Sequence, residues 1–266
     1  MDLQNKVVWI IGASSGIGEA LACESAKQGA RIVLSARREE ELNRVAIKTG
    51  LASDRILLLP LDLEKTGDVG HLTEQILKKF GTIDVLINNA GVGQISASLR
   101  SQEAIERKIV EINFWGHVSI AKAVAQVMVK QGSGKIVVIG SILGKFGLPL
   151  YAAYAASKHA LYGYFESLRE ELHPYHVKVL LISPGFISTG ISEKSLTYNG
   201  ELYNKPSIAQ KNGMPAEVCA RKIIKQVKSN RLHKYIGRLE IGMVYFKYYL
   251  PGLFYWLIRK TAPAKL

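Results

Sequence analysis

Short apolar runs alternate along this chain with longer stretches in which apolar residues recur every three or four positions. The runs predict strands at 6–11, 31–35, 55–60, 83–88, 135–140 and 177–182, with a further one at 234–237. Between them, stretches such as EALACESAKQG and YAASKHALYGYFESLREEL carry the spacing of helices that pack by one face. A run like KVVWII is apolar at every second and every intervening position, as a strand covered on both faces must be. Strand and helix in strict alternation imply an α/β fold, a doubly wound parallel sheet with helices on both faces. At 266 residues and 48% apolar content the chain suits one such sheet, and neither an internal repeat nor a long linker divides it. The expectation is a single domain over 1–266.

The first strand runs into Gly12-Ala-Ser-Ser-Gly16-Ile-Gly18 and then into a helix. Strand, glycine turn and helix make a phosphate cradle: Gly12 permits the turn, Gly16 lets backbone amides approach a pyrophosphate, and Gly18 allows close helix packing. The spacing G-x3-G-x-G differs from the common G-x-G-x-x-G fingerprint, and a glycine turn alone is weak support. Further along, Ser141 closes the strand KIVVIGS, at the carboxyl end where open α/β sheets hold ligands. Tyr154 and Lys158 lie four apart in a helical stretch and so share a face. A hydroxyl, a phenol and an ammonium ion so arranged can move a proton onto a carbonyl oxygen. The phenol's ordinary pKa, about 10, is high for that task, and a neighbouring cation such as Lys158 is expected to lower it.

Together these residues resemble the short-chain dehydrogenase/reductase family. Its motifs stand in order as GASSGIG at 12–18, NNAG at 88–91, Asn113 in EINFWG, Ser141, YAASK at 154–158 and PGFIST at 184–189. The resemblance is firm over about 5–190 and looser beyond. It implies a Rossmann-like fold and reversible hydride transfer between a nicotinamide cofactor and a carbonyl or alcohol. The catalytic set it implies is Asn113, Ser141, Tyr154 and Lys158, with Asn113 interrupting its helix to hold a water in a proton relay. It further assigns cofactor contacts to the cradle residues Gly12, Ser14, Ser15, Gly16, Ile17 and Gly18, to Asp62 at the adenine edge, and to Asn89, Ala90 and Gly91. Tyr154 and Lys158 contact the cofactor as well, as do Pro184, Gly185, Ile187 and Thr189, the last at the nicotinamide carboxamide. The chain departs from the family at Ile11, where a threonine usually braces the glycine loop; the departure bears on loop rigidity rather than on cofactor binding. The polar stretch 191–214 corresponds to a substrate-covering lid, or is an ordinary surface loop.

Enzymes that prefer NAD place a carboxylate at the end of the second strand. This chain has Ala36 there, followed by Arg37 and Arg38. Arg37 is expected to pair with the 2′-phosphate of NADP(H), helped by Ser14 and Arg38; the other reading makes the two arginines the solvated start of a helix with Glu39 to Glu41. Tyr151 reads as a pocket or packing residue, His159 as structural, and Phe114 and Trp115 as filling a helix interface.

The net charge is +13, and it is uneven: residues 201–266 hold 13 Lys and Arg against 3 Asp and Glu. The same region contains LEIGMVYFKYYLPGLFYWLIRK, within an apolar, basic extension over about 238–266. Lys247 and the Pro251-Gly252 break argue against a membrane span, which needs about 20 mainly apolar residues. The segment fits a membrane interface with anionic lipids, a wall of the substrate pocket, or a subunit contact. No nucleic-acid motif accompanies the charge, and none is expected to bind. Cys23 and Cys219 lack metal-ligand spacing and read as free thiols of a reducing compartment. With the first strand starting within about six residues of Met1, the expected location is the cytoplasm, either free or attached peripherally to a membrane. A homodimer or homotetramer through the helices of Asn113 and Tyr154 is implied by the resemblance. The activity expected is that of an NADP(H)-dependent enzyme interconverting a ketone or aldehyde and an alcohol on a lipid-, acyl- or steroid-like substrate. The alternative is a catalytically silent dinucleotide-binding sensor or scaffold.

Overall fold

The computed structural model describes residues 1–67 and 69–261, so the end of the expected C-terminal extension, 262–266, lies outside the described residues. In chain order the elements are β1 (Val7–Ile11), α1 (Gly16–Lys27), β2 (Arg31–Ser35), α2 (Glu39–Thr49), β3 (Ile56–Leu58), α3 (Val69–Phe80), β4 (Val85–Asn88) and α4 (Glu103–Val110). There follow α5 (Gly116–Gln131), β5 (Gly134–Ile139), α6 (Ala152–Leu172), β6 (Val177–Pro184), β7 (Ile187–Ser188), α7 (Ile208–Lys211) and β8 (Met214–Pro215). The last are α8 (Ala216–Val227), β9 (His233–Ile236), α9 (Gly242–Tyr249) and α10 (Pro251–Arg259). Seven strands form one parallel sheet in the order β3-β2-β1-β4-β5-β6-β9. All seven strands of the sequence reading are present with small shifts at their ends. The short pair β7 and β8 was not foreseen, because two-residue strands leave no periodic signal.

Strand alternation sorts the core into two layers. Val7, Trp9 and Ile11 of β1 join the layer under α3, α5 and α6, whereas Val8 and Ile10 join the layer under α1, α2 and α8. The same alternation continues through β4, β5 and β6. Both faces of the central strands are thereby removed from water, which is why their sequences read as unbroken apolar runs. One polar pair within the core is satisfied there: the Trp9 indole N–H donates to the Ser35 hydroxyl at 2.9 Å. Lys135, also buried, donates to the carbonyls of Val227 and Ser229 at 2.6 Å each and so caps the end of α8.

After β1 the chain winds outward to β2 and β3, then returns to β4 on the other side of β1. This reversal opens a crevice at the carboxyl ends of β1 and β4, the position at which doubly wound sheets bind ligands. The stretch expected as a lid, 191–214, is tied back by bridges from Leu196 to Gln94 and to Leu202.

Candidate active site

The carboxyl ends of the strands line a cleft of about 910 Å³, within the roughly 300–1,000 Å³ of ligand sites. One end is the glycine turn. Gly12 has φ +80, and a Cβ there would sit 2.5 Å from the Ala90 Cα, so only glycine fits the turn against the neighbouring strand. Gly18 packs under the Gly12 carbonyl rather than in the cleft. Ser15 precedes α1 in extended conformation without a side-chain cap, which leaves first-turn amides for an anion. Ser14, Ser15, Gly16 and Ile17 line the same end, and Thr189 reaches across to Gly16. An open backbone cradle with uncapped amides fits the pyrophosphate of a dinucleotide. Ile11 is buried in the core, and the loop is braced without the missing hydroxyl: Gly12 N–H and Ala13 N–H donate to the Ser35 carbonyl at 2.7 and 3.1 Å, and the Asn89 amide donates to the Gly12 carbonyl at 3.2 Å.

Beyond Ala36 the cleft is lined by Arg37 and Arg38, both exposed and with guanidinium groups that make no hydrogen bond or ion pair among the described residues. Arg44 also comes close, donating to the Ser14 carbonyl, but Glu19 holds its charge at 2.7 Å. Asp62 accepts from the Glu64 amide and lines the cleft beside Leu61 and Leu63. Asn89, Ala90 and Gly91 line the cleft after β4, and so do Pro184 at the end of β6, Gly185 after it and Ile187 at the start of β7.

Ser141, Tyr154 and Lys158 meet at the inner end. The Ser141 hydroxyl accepts from the Leu143 amide at 3.1 Å, which fixes one lone pair and leaves its hydrogen to donate. Lys158 is buried, its Nζ donates to the Ile139 carbonyl at 3.2 Å, and it lies 5.8 Å from the Tyr154 ring centre. Burial pushes the Lys158 ammonium down to about 8. The Tyr154 phenol is shifted opposite to expectation: burial raises it, the hydrogen bond from Ser141 opposes the rise, and Lys158 does not offset it. Loss of hydration here outweighs the cation's attraction.

Asn113 stands behind the cleft. It lies in a wide π-turn, Glu111–Trp115, where the Gly116 amide bonds to Glu111 five residues back, so its helix is interrupted as the resemblance implies. Its side chain does not reach the cleft. Oδ1 accepts from the Val92 amide at 2.8 Å, while Nδ2 donates to the Val92 carbonyl at 2.9 Å and to Ser157 at 3.2 Å. The amide is spent on bracing the wall behind Gly91. Trp115 is half exposed, not filling an interface within the chain, whereas Phe114 packs edge-on to Tyr164.

Two residues escape the sequence reading. Gln94 is buried, and its Oε1 accepts from the amides of Ala153 and Tyr154 at 2.7 and 3.2 Å, capping α6 where the preceding Tyr151 supplies no side-chain cap. Through its bridge to Leu196 it also joins the 191–214 stretch to the helix of Tyr154. No local pattern marks a residue about sixty positions from its partners. His117 does carry a signal, since it falls four after Asn113 on the same face. Its Nε2 lies 2.8 Å from the Ala90 carbonyl and must donate, so Nδ1 is the bare nitrogen, and it is buried without a partner.

Burial pushes His117 down to about 3 and His233 to about 4. Both stay neutral in the fold, whereas an unfolded chain takes up their protons below about 6.5. The unfolded state thus binds more protons as pH falls, and stability is expected to drop from pH 6.5 toward 3, by at most about 1.4 kcal/mol per pH unit for each histidine. His117→Gln keeps a donor for Ala90 but cannot titrate. Urea midpoints measured from pH 4 to 7 should show a shallower acid slope for this variant, and an unchanged slope would refute the assignment.

Tyr151, Leu143, Leu148, Phe186 and Leu202 surround the remaining cleft with mostly apolar surface, and the 191–214 stretch covers one side. Among the described residues no group of acids, histidines and cysteines could hold a metal ion, and both cysteines are free.

The chain matches the family model described as short chain dehydrogenase over residues 6–199. It is 37% identical to human Dehydrogenase/reductase SDR family member 7 over 271 residues, covering 100% of this chain and 80% of that protein. In fold it resembles a short chain dehydrogenase/reductase from Burkholderia phymatum in complex with NAD, with a TM-score of 0.85 at 24% identity over 95% of this chain and 96% of that one. A second structural neighbour is a short chain dehydrogenase from Burkholderia cenocepacia J2315 in complex with NADP, with a TM-score of 0.80 at 22% identity, covering 97% and 99%. Sheet order, glycine cradle and these matches agree: the chain belongs to the short chain dehydrogenase family of oxidoreductases that bind NAD(P).

Proposed function

We propose that this protein is an NADP(H)-dependent carbonyl reductase, and in reverse an alcohol dehydrogenase, acting on an apolar ketone or aldehyde. The observation that carries this reading is the convergence of Ser141, Tyr154 and Lys158 at one end of a cleft whose other end holds the glycine cradle with Arg37 and Arg38. When bound, the reduced nicotinamide would supply the hydride. The cradle amides of Ser14 to Ile17 would hold its pyrophosphate and Lys158 its ribose, with Thr189 toward the carboxamide.

With its lone pair held by the Leu143 amide, Ser141 would turn its hydrogen from Tyr154 to the substrate carbonyl oxygen. Tyr154 would release its proton to the same oxygen as negative charge grows there. A phenol kept neutral by burial starts in the form that reduction requires. Lys158, near 8, is mainly cationic at neutral pH and would stabilise the phenolate left behind. Asn113 and His117 would act on geometry, bracing Val92 and Ala90 in the wall the cofactor lies against. The choice of NADP(H) rests on Ala36, Arg37 and Arg38, since structural neighbours carry either dinucleotide. An apolar substrate is favoured by the residues around Tyr151 and Phe186.

The test is purified protein with NADPH or NADH against aliphatic, aromatic and steroidal ketones, and with the matching alcohols and oxidised cofactors. Reduction of apolar ketones with NADPH is expected. Dinucleotide binding without turnover on any member of the panel would overturn the reductase reading in favour of a silent binding protein.

A further inference from the structure

We propose that the exposed face of α9 and α10 docks on an anionic lipid surface, lying in the headgroup plane rather than crossing it. Each helix has one face in the protein and one outside. On α9, Val244 is buried while Tyr245, Tyr248 and Tyr249 are exposed, the last two by 77% and 72%. On α10, Phe254 is buried against Phe146 and Phe246, while Leu253, Trp256 and Leu257 are exposed, Trp256 by 51%. Both outward sets follow the i, i+3, i+4 spacing of a single helix face, and the exposed Leu250 joins them at the elbow before Pro251. The result is a set of exposed apolar and aromatic side chains on two successive helices, larger in number than the scattered apolar residues of an ordinary exterior.

Its chemistry selects the occupant. Tyrosine and tryptophan combine an apolar ring with a polar edge, which suits the boundary between headgroups and acyl chains. Helices of 8 and 9 residues cannot cross a bilayer, and among the described residues none is long and apolar enough to do so. The charge along this part of the chain is mostly of one sign: over 231–261 Arg231, Lys234, Arg238, Lys247, Arg259 and Lys260 stand against Glu240 alone, although Lys247 and Arg238 also donate to the carbonyls of Lys145 and Asn212. Glu240 is turned inward, accepting from the amides of Phe186 and Arg238. Lys260 lies 3.7 Å over the Trp256 ring, so a cation and the largest outward ring form one unit at the end of α10. A second copy of this face would set like charges opposite one another, whereas anionic headgroups complement them. The inward side of the two helices joins one buried cluster with Ile142, Leu143 and Phe146, against which Tyr154 also packs, so the docked surface adjoins the candidate active site.

The test is co-sedimentation of the full chain with phosphatidylcholine vesicles, with and without phosphatidylserine, over a range of salt. Binding to the anionic vesicles is expected, with a salt-sensitive part from the cations and a salt-insensitive part from the rings. Y249S/L253S/W256S, three substitutions at exposed positions, should weaken binding at least tenfold at high salt. R259E/K260E should weaken it at low salt by about fivefold for each cation lost. Dinucleotide affinity and melting temperature, read alongside, should stay unchanged and so separate docking from misfolding. Should the triple variant melt early, quenching of tryptophan fluorescence by brominated lipid in a W115F chain, whose other tryptophan besides Trp256 is the fully buried Trp9, decides the matter, and its absence counts against the proposal. No binding by the unaltered protein, or equal binding by both variants, overturns it. So does conversion of a dimer to a monomer by the triple variant with vesicle binding untouched, which would make the surface a subunit contact.

Discussion

Tyr154→Phe is expected to lower ketone reduction by on the order of 10²- to 10⁴-fold, the range ascribed to a positioned general acid, with NADPH affinity nearly unchanged. The separation follows from what the side chain touches. Its ring packs beside Ile142, Leu143 and Phe146 near α9 and α10, and phenylalanine keeps those contacts. The hydroxyl is the only part removed, and its polar neighbour is Ser141. Ser141 stays held by the Leu143 amide, so the oxygen-binding group survives while the proton source is gone. Lys158 keeps its place on the Ile139 carbonyl, and the glycine cradle lies at the other end of the cleft. Fluorescence titration with NADPH beside steady-state rates on a reactive ketone gives both numbers. A variant that turns over near the unaltered rate would end the proposed mechanism. Equal loss of rate and of cofactor affinity would mean that the phenol holds the dinucleotide rather than supplying the proton.

The parts of this site differ in how far the sequence reveals them. Strand β1 is readable in advance because burial on both faces requires VVWII to be apolar throughout, and the turn after it because a positive φ against Ala90 requires glycine. Tyr154 and Lys158 are readable because four residues make one helical turn, and Ser141 because it ends a strand at the ligand side of the sheet. The division of the C-terminal stretch into two helices is foreshadowed by Pro251. What the sequence withholds is set by tertiary contact. Gln94 caps α6 only because the topology brings a loop after β4 to the start of a helix far along the chain. The upward shift of Tyr154 depends on which groups exclude water from it, and a pattern of residue types carries no measure of that. Nor does spacing reveal that Asn113 would spend its amide on Val92, since a mid-helix asparagine reads the same whether it faces a cleft or a wall. Arg44 and Arg37 look alike in sequence. Only the structure gives one of them to Glu19.

That difference between the two arginines sets the expected outcome of Arg37→Asp, a reversal of cofactor preference. Arg37 stands at the carboxyl end of β2 beside Ala36, exposed, lining the cleft, and without an ion pair among the described residues, so its charge is available to a 2′-phosphate. Arg44 cannot replace it while held by Glu19 and Glu41. A hydrogen bond to a charged group contributes about 1.5–3 kcal/mol, and this site is open to water, which favours the lower figure. The substitution removes that contact and sets a carboxylate against the phosphate. The same carboxylate can accept from the ribose hydroxyls of NADH, as in enzymes that prefer it. The ratio of kcat/KM for NADPH to that for NADH is therefore expected to fall on the order of 10²-fold, with maximal rate on the preferred cofactor little changed, because Arg37 lies at the opposite end of the cleft from Tyr154. Arg37→Ala should give an intermediate ratio, losing the attraction without adding the repulsion. If the unaltered protein already uses NADH better than NADPH, or if the ratio stays constant through both variants, Arg37 and Arg38 are no more than the solvated start of α2 beside Glu39 to Glu41, and the dinucleotide is selected elsewhere in the cleft.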